Sequence, residues 1–218
     1  MSLSITTAAE STDLTTSEHV KLELGISTMD INEWLKLAIP AASSALENYT
    51  NKFWAYQQYD EVLSGSGSTR LMLARTPLVG TPVIVIDSNT VTDFTVDDAS
   101  AGILYRRQGW VRETAGWGGI TRDPRVWDDH PNVYVTYYAG YNLPSFKTDI
   151  ADVDALPANV ERAAIVTVKS WYRTKNRDPN VSWKQVGDLA LGYRKPSGDE
   201  TGLELPAEAR ALVSRRIF

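Results

Sequence analysis

The feature that most constrains this chain is a helical pattern in residues 156–181, LPANVERAAIVTVKSWYRTKNRDPNV. Apolar residues recur there every three or four positions, which predicts one buried helix face. That face comprises Val160, Ala164, Ile165, Val168, Trp171 and Tyr172. Pro157 suits the first turn, where a missing N–H is harmless. Asp178-Pro179 ends the pattern because the residue before a proline is pushed out of the α region. These residues predict a long helix around which the rest of the chain packs.

Two more helices are predicted before residue 55. Thr15 and Glu18 have the spacing of a capping box, and Gly25 can adopt the left-handed conformation that ends a helix. A longer helix opens at Asp30 and reaches about residue 53, since apolar side chains again recur at three and four positions. Pro40 lies inside it and removes one backbone hydrogen bond, which predicts a kink or a break.

Between residues 55 and 141 the apolar period changes to two, and turn residues recur. The predicted strands cover residues 55–63, 69–74, 82–87, 90–96, 103–106, 110–113 and 133–138. The sequence SGSGS at residues 64–68 predicts a hairpin turn between the first two strands. Short strands at this spacing favour a small antiparallel sandwich or barrel.

The order of these patterns indicates an α+β protein. We expect a helical core of three to four helices, with an antiparallel β module inserted between the second and third helices. The expected division is a mobile, Ser/Thr-rich N-terminal arm at residues 1–14, a helical core from residues 15–54 and 142–218, and a β module from residues 55–141.

The composition argues against several classes of function. The 218 residues include no cysteine and only two histidines, and the formal charge of −5 is unlike that of a general duplex-DNA binder. No apolar run reaches the ~18 residues of a membrane span, and the first residues lack the pattern of a signal peptide. His130 could join a neighbouring carboxylate to bind a metal for hydrolysis, but a polar turn before Pro131 explains the same letters. We therefore expect no cofactor and no enzyme activity.

Aromatic residues in glycine-rich loops suggest an alternative. Trp110, Trp117 and Trp127 could form the platform of a β-rich carbohydrate- or polymer-binding module. Arginines interleave with them between residues 106 and 127, as in proteins that bind single-stranded nucleic acids, although neighbouring acidic residues cancel much of that charge.

Five segments in order carry a resemblance to a known family. They are LTTSEHVKLELGI, AASSALENYTNKFW, RLMLARTPLVGTPVIVID, VYVTYYAGYNLP and the helix at residues 156–181. Together they resemble the head–tail connector, or adaptor, proteins of long-tailed bacteriophages and prophages. The resemblance extends from about Leu14 to Tyr193, which is most of the chain.

This resemblance implies a structural protein of the virion neck, made in the cytoplasm of the bacterial host. The subunits would form a ring, commonly twelvefold, between the portal protein and a stopper or tail-completion protein, with DNA only as passing cargo and no membrane contact. The last helix and the residues after it would dock on the portal, through Arg210, Leu212, Arg215, Arg216, Ile217 and Phe218. Packing of the same apolar residues onto the subunit's own helices remains an alternative. Four residues of the segment after the long helix would face the channel or a neighbouring subunit: Trp183, Lys184, Leu189 and Tyr193.

Overall fold

A computed structural model describes residues 2–27, 29–65, 67–86, 88–110, 133–146, 152–175, 183–186, 189–192 and 205–213. Helices and antiparallel sheets are both present, so the predicted α+β class is confirmed. Internal contacts divide the chain into two compact units. The β unit comprises Met1–Ser11, Phe53–Asn142 and Phe146–Ala155, and the helical unit comprises Thr12–Lys52, Leu143–Ser145 and Leu156–Phe218.

Four α-helices lie in the described part of the helical unit. They are α1 (Ser17–Leu24), α2 (Asn32–Thr50), α3 (Ala158–Thr174) and α4 (Ala207–Leu212), and a short 3-10 helix, Met29–Ile31, precedes α2. The apolar faces of α1, α2 and α3 meet in one core of Val20, Ile31, Leu35, Ala38, Ile39, Ala42, Ile165 and Val168. The predicted stripe on residues 156–181 therefore marks a face that is buried. No helix within the described ranges is both long and apolar enough to span a membrane.

The first helix is capped by a different residue from the predicted one. Thr16, not Thr15, is the N-cap, and its hydroxyl oxygen accepts a hydrogen bond from the backbone N–H of His19 at 3.2 Å. Thr15 is buried, and its hydroxyl donates to Glu161 at 3.4 Å. The two adjacent threonines are equivalent in sequence, and burial of the first leaves the second to cap the helix. Gly25 ends α1 in the left-handed conformation, as predicted, at φ 66°.

Helix α2 continues through Pro40 without a break. One turn later, Ser43 makes two buried hydrogen bonds that tie the helix to the segment before α1. Its hydroxyl donates to the carbonyl of Ile39 at 2.9 Å and accepts from the N–H of Leu14 at 3.0 Å. A single absent N–H costs one bond, and burial of the helix face on both sides of the proline keeps the helix continuous.

Eight strands form the described part of the β unit. They are β1 (Ser2–Thr7), β2 (Gln57–Leu63), β3 (Arg70–Met72), β4 (Leu78–Ile86), β5 (Asn89–Val91), β6 (Thr95–Asp98), β7 (Ile103–Tyr105) and β8 (Val133–Ala139). A five-stranded antiparallel sheet has the order β1-β2-β8-β4-β5, and a three-stranded sheet has the order β3-β7-β6. Side chains from both sheets join in one core. Along β2 and β8, buried residues alternate with more exposed ones, as expected of strands with one buried face.

The SGSGS segment does not join two strands of a hairpin. It connects β2 of one sheet to β3 of the other. Its end pairs with the segment after β7, because Gly67 N–H donates to the carbonyl of Trp110 at 2.8 Å and Trp110 N–H donates to the carbonyl of Ser68 at 2.7 Å. Trp110 itself lies outside the strands, and residues 111–113 of the strand predicted there lie outside the described residues.

Residues 2–7 form an edge strand, whereas the sequence predicts a mobile arm at residues 1–14. In β1, Leu3 lies opposite Glu61 and Ile5 lies opposite Tyr59. The hydroxyl of Thr6 adds a hydrogen bond to Asp60 Oδ2 at 2.6 Å. Pairing of the main chain with β2 orders this segment although most of its side chains remain exposed.

Candidate docking surfaces

A groove between α1 and α3 has a volume of about 320 Å³. We call it the α1–α3 groove; it is lined by His19, Leu22 and Glu23 of α1 and by Ala158, Glu161, Arg162 and Ile165 of α3. Ile165 is buried at its base, whereas Leu22 is 83% exposed at its edge. The groove therefore combines exposed apolar surface with charged side chains, which is a composition suited to binding another protein segment.

Glu23 holds two cations of α3. The guanidinium of Arg162 donates to both of its oxygens, at 2.7 and 3.2 Å, and the ammonium of Lys169 donates to Oε1. Hydrogen bonds from Arg162 and Lys169 lower the pKa of Glu23 from 4.5 to about 2. The same bond to Glu23 raises the pKa of Arg162, and Glu208 adds a weaker electrostatic effect. The two cations more than compensate the charge of the Glu23 carboxylate.

The other carboxylate of the groove has a weaker partner. His19 Nδ1 lies 2.6 Å from Glu161 Oε1 and donates to it, and the imidazole is half-exposed. Within the ranges that the structure describes, no lysine or arginine forms an ion pair with Glu161. Among the described residues, Glu161 therefore has the His19 imidazole and the Thr15 hydroxyl as its side-chain partners.

A second cavity, of about 370 Å³, lies between the start of α1 and the side of α2. Polar residues, among them Thr16, Ser17 and Asn32, line it together with the apolar Leu35 and Ile39. The buried Oδ1 atom of Asn32 has no hydrogen-bond partner among the described residues. The cavity is open, and none of its described lining residues forms a catalytic arrangement.

Helix α4 packs on α3 through buried apolar residues. Leu205, Ala209 and Val213 are all buried, and Asn159 Nδ2 donates to the carbonyl of Leu212 at 2.9 Å. Of the residues proposed to dock on a portal, Arg210 and Leu212 are half-buried on this helix. Four others lie outside the described residues: Arg215, Arg216, Ile217 and Phe218. The helix thus contributes to the subunit's own packing.

The segment after α3 contains a hairpin. Strand β9 (Trp183–Val186) pairs with β10 (Leu189–Gly192) in an antiparallel two-stranded sheet. Trp183 and Lys184 therefore lie in β9, and Leu189 lies in β10. The fourth residue assigned to this segment, Tyr193, lies outside the described residues. The sequence is compatible with a loop or a hairpin arm here, and the backbone forms the hairpin.

The outer face of the five-stranded sheet carries exposed aromatic and branched residues. Tyr134 and Tyr138 alternate along β8 with a threonine between them, and Val83 of β4 is also exposed. Tyr56 stacks on Tyr138, with ring centroids 5.4 Å apart and planes 9° from parallel. The period of two identifies this strand in the sequence but does not assign its outward side to binding. The tyrosine alternation was the available signal.

The inner face of the same sheet contains a buried carboxylate. Glu61 is fully buried; its Oε2 accepts from the hydroxyl of Tyr137 at 2.8 Å and from the N–H of Ala74 at 3.0 Å. Tyr137 also accepts a bond from the N–H of Arg75 at 3.1 Å. Burial and the bond to Glu61 raise the pKa of Tyr137. These contacts connect β2 and β8 to the segment after β3, so the group is structural.

Trp110 and Arg106, two residues considered for other functions, are engaged within the β unit. Trp110 is fully buried, which removes it as a platform for a sugar or a base. Arg106 pairs with Asp93 at 2.9 Å and lies over the Trp110 ring. Trp117, Trp127 and His130 lie outside the described residues. In the part of the chain that is described, no group of three or more His, Cys, Asp or Glu residues could hold a metal ion.

Several solved structures share this fold over most of the chain. A chain of the virion of a native gene transfer agent (GTA) particle has 19% sequence identity and a TM-score of 0.54, covering 82% of this chain and 87% of that one. A chain of the neck of an empty GTA particle, computed with C6 symmetry, has 16% identity and a TM-score of 0.57, covering 98% and 93%. One from the neck of a native GTA particle, computed with C12 symmetry, has 15% identity and a TM-score of 0.53, covering 100% and 98%. No protein-family model and no curated protein sequence matches this chain.

Proposed function

We propose that this protein is a structural subunit of the neck of a phage-like particle, where it forms a ring between the portal and a stopper or tail-completion protein. The observation that carries the proposal is the extent of the fold similarity to neck chains, which covers 98–100% of this chain and 93–98% of those chains. The similarity to those neck chains therefore extends over residues of both the helical unit and the β unit. The C6 and C12 symmetries of those necks favour a ring, which we expect to be twelvefold.

In this proposal the helical unit is the connector core, and the β unit is a module inserted into it. The predicted core, residues 15–54 and 142–218, covers most of the helical unit, and the predicted module, residues 55–141, covers most of the β unit, which also includes Met1–Ser11. The exposed outer sheet face, with Tyr134 and Tyr138, and the α1–α3 groove supply the kinds of surface that subunit contacts need. DNA passes through the ring as cargo, and the net charge of −5 avoids strong binding to it.

Two segments are proposed to make partner contacts. Residues 210–218 would dock on the portal through the basic and apolar side chains already named. The β9–β10 hairpin, which includes Trp183, Lys184 and Leu189, would face the channel or the neighbouring subunit.

A non-enzymatic role agrees with how the polar side chains are used. One oxygen of Glu61 accepts hydrogen bonds from Tyr137 and Ala74, and Glu23 accepts hydrogen bonds from two cations. The alternative of a carbohydrate- or polymer-binding module loses its first platform residue, because Trp110 is buried.

The test uses the purified protein together with a portal protein and a stopper protein of the same particle. Native mass spectrometry and electron microscopy should show this chain added to portal rings in the portal's symmetry, and the stopper should bind only to that complex. The protein alone can remain monomeric without contradicting the proposal. Failure to bind both the portal and the stopper, at micromolar concentrations and low salt, would overturn it.

A further inference from the structure

We propose that, in the assembled ring, β1 pairs with β2 of a neighbouring copy, so that adjacent subunits exchange their first strands. This exchange is a contact within the proposed ring and therefore rests on the proposed function. Three features of the described chain support it: the contacts that hold β1, the short segment that follows this strand, and the register of the β1–β2 ladder.

Strand β1 is held to β2 by hydrogen bonds more than by buried apolar surface. Leu3 is half-buried and packs against the core of the β unit, whereas the other five residues of the strand are exposed. Besides the main-chain ladder, the hydroxyl of Thr6 donates to Asp60 Oδ2 at 2.6 Å. The hydroxyl of Thr7 donates to the side-chain oxygen of Gln58 at 2.9 Å. The β2 edge of another copy offers the same ladder and the same acceptors, so an exchanged strand keeps these contacts.

The segment after β1 is short and leads into the helical unit. Strand β1 ends at Thr7, and the helical unit begins at Thr12. The main chain is held there at once, since the carbonyl of Asp13 accepts a hydrogen bond from Ser145 Oγ at 2.6 Å. Residues 8–12 form neither helix nor strand, and five residues span at most about 17 Å. Short hinge segments favour exchange with a copy in direct contact over closure on the same chain.

The ladder loses its regular register at the end of β1 that joins this segment. From Ser2 to Ile5 each residue of β1 lies opposite one residue of β2, but Thr7 lies opposite Gln58, which leaves Thr6 as an extra residue. An extra residue of this kind bends the strand that contains it. We infer that this end of β1 is the hinge, from which the strand can pair with its own β2 or with that of a neighbour.

Strand exchange also has the symmetry that a closed ring requires. Each copy in a ring meets its two neighbours through two different surfaces. The donated strand β1 and the accepting edge of β2 are two such surfaces, and every copy has both. Strand β1 contains no charged residue, so its transfer brings no further negative charge to a copy whose net charge is already −5.

Disulfide trapping in the full-length chain tests the exchange. The sequence has no cysteine, so introduced cysteines are the only thiols. Ser2 lies opposite Val62, and opposed residues of antiparallel strands are close enough for a disulfide. A tagged Ser2→Cys chain is mixed with a Val62→Cys chain and oxidised at about 1 mM, where a neighbour can compete with closure on the same chain. A second sample contains the same mixture bound to a portal protein of the same particle.

We expect a disulfide-linked heterodimer in the portal-bound sample, visible on a non-reducing gel. The matched control pairs Ser2→Cys with Val83→Cys, because Val83 is an exposed valine of β4, a strand that does not pair with β1. Its cysteines meet only by collision, so the Val62 pair should give at least about tenfold more heterodimer. The double variant Ser2→Cys/Val62→Cys, oxidised as dilute free protein, should form the disulfide within one chain.

The outcomes separate strand exchange from the neck role. Portal-bound rings that give no more heterodimer than the control pair would overturn the exchange and leave the neck role intact. If no ring forms, the concentrated sample decides: heterodimer above the control supports exchange between copies although the neck role fails, and its absence overturns both. A double variant without the disulfide would show that β1 does not lie against β2, which would also overturn the exchange.

Discussion

Arg162 and Glu23 face each other with matched geometry: each nitrogen of the guanidinium fork donates to a different carboxylate oxygen, at 2.7 and 3.2 Å. This pair joins α3 to α1, and Lys169 adds a second cation to the same carboxylate. Stability that depends on the ionised carboxylate must be sensitive to acid.

We expect the contribution of Glu23 to the free energy of unfolding to be lost as the pH falls from 4.5 to about 2. The pKa of the folded state is lowered to about 2 from 4.5, so the contribution is complete above pH 4.5 and is lost as the pH falls toward 2. Melting temperatures of the unmodified protein and of Glu23→Gln should differ most near neutral pH and converge in acid. Glu33→Gln removes an exposed pair with Lys36 and should change melting little at any pH. A difference that stays constant from pH 7 to pH 2 would contradict this explanation.

Gly140→Ala should destabilise the β unit by at least about 2 kcal/mol. Gly140 has φ 120°, and a Cβ there would lie 2.3 Å from the carbonyl oxygen of Ala55. Gly80→Ala is the control, since Gly80 also has positive φ, 70°, but a Cβ added to it would meet no atom within 4 Å; it should cost only about 1 kcal/mol. Urea unfolding, with amide hydrogen exchange in β2 and β8, measures both. Equal costs for the two variants would show that the close approach does not matter.

Tyr137→Phe should cost about 1–3 kcal/mol, because it removes a donor to the buried Glu61 and an acceptor for Arg75 N–H. Tyr134 lies on the same strand and is 51% exposed. The variant Tyr134→Phe should therefore change stability by less than about 0.5 kcal/mol. Chemical denaturation of both variants gives the comparison. Equal losses of stability in the two variants would show that the hydrogen bond from the Tyr137 hydroxyl to Glu61 does not stabilise the protein.

Truncations before and after α4 distinguish its contribution to the stability of the helical unit from the proposed binding of later residues to the portal. A variant that stops after residue 204 loses the buried side chains of Leu205, Ala209 and Val213 and should lose about 2–5 kcal/mol. A variant that stops after Val213 keeps these side chains, so its melting should stay closer to that of the full chain than the melting of the shorter variant does. Portal binding, measured on the second variant, then reports on residues 214–218 alone. Unchanged stability of the shorter variant would show that α4 does not stabilise the helical unit.

The helices were predictable because their signals are local. The stripe at Val160, Ala164 and Val168 follows from the helical period, and all three residues are buried on α3. Gly25 marks the end of α1 for a similar reason, since few other residues adopt its conformation without cost. The N-cap residue of α1 could not be predicted, because the adjacent Thr15 and Thr16 differ only in how deeply the fold buries them.

The strand partners were not predictable in the same way. A period of two identifies β8 but contains no information about which strands pair with it, and its partners β2 and β4 are distant in sequence. Strand β1 was not predicted from its sequence, SLSITT, because main-chain pairing with β2 is what orders it. The buried Glu61 was also missed, since a carboxylate in an alternating strand suggests solvent. The α1–α3 groove depends on two helices far apart in the chain, so only the fold brings His19 to Glu161.

The central position of β8 also has a consequence for synthesis on the ribosome. Strands β2 and β4 do not pair with each other; both pair with β8, which begins at Val133, whereas β4 ends at Ile86. At about 5–20 residues per second, their facing edges stay unpaired for seconds until Val133–Ala139 leaves the exit tunnel. Completion of the five-stranded sheet therefore waits for β8, and chaperones that shield unpaired strands should bind nascent chains that stop before residue 133 more than those that continue well past it.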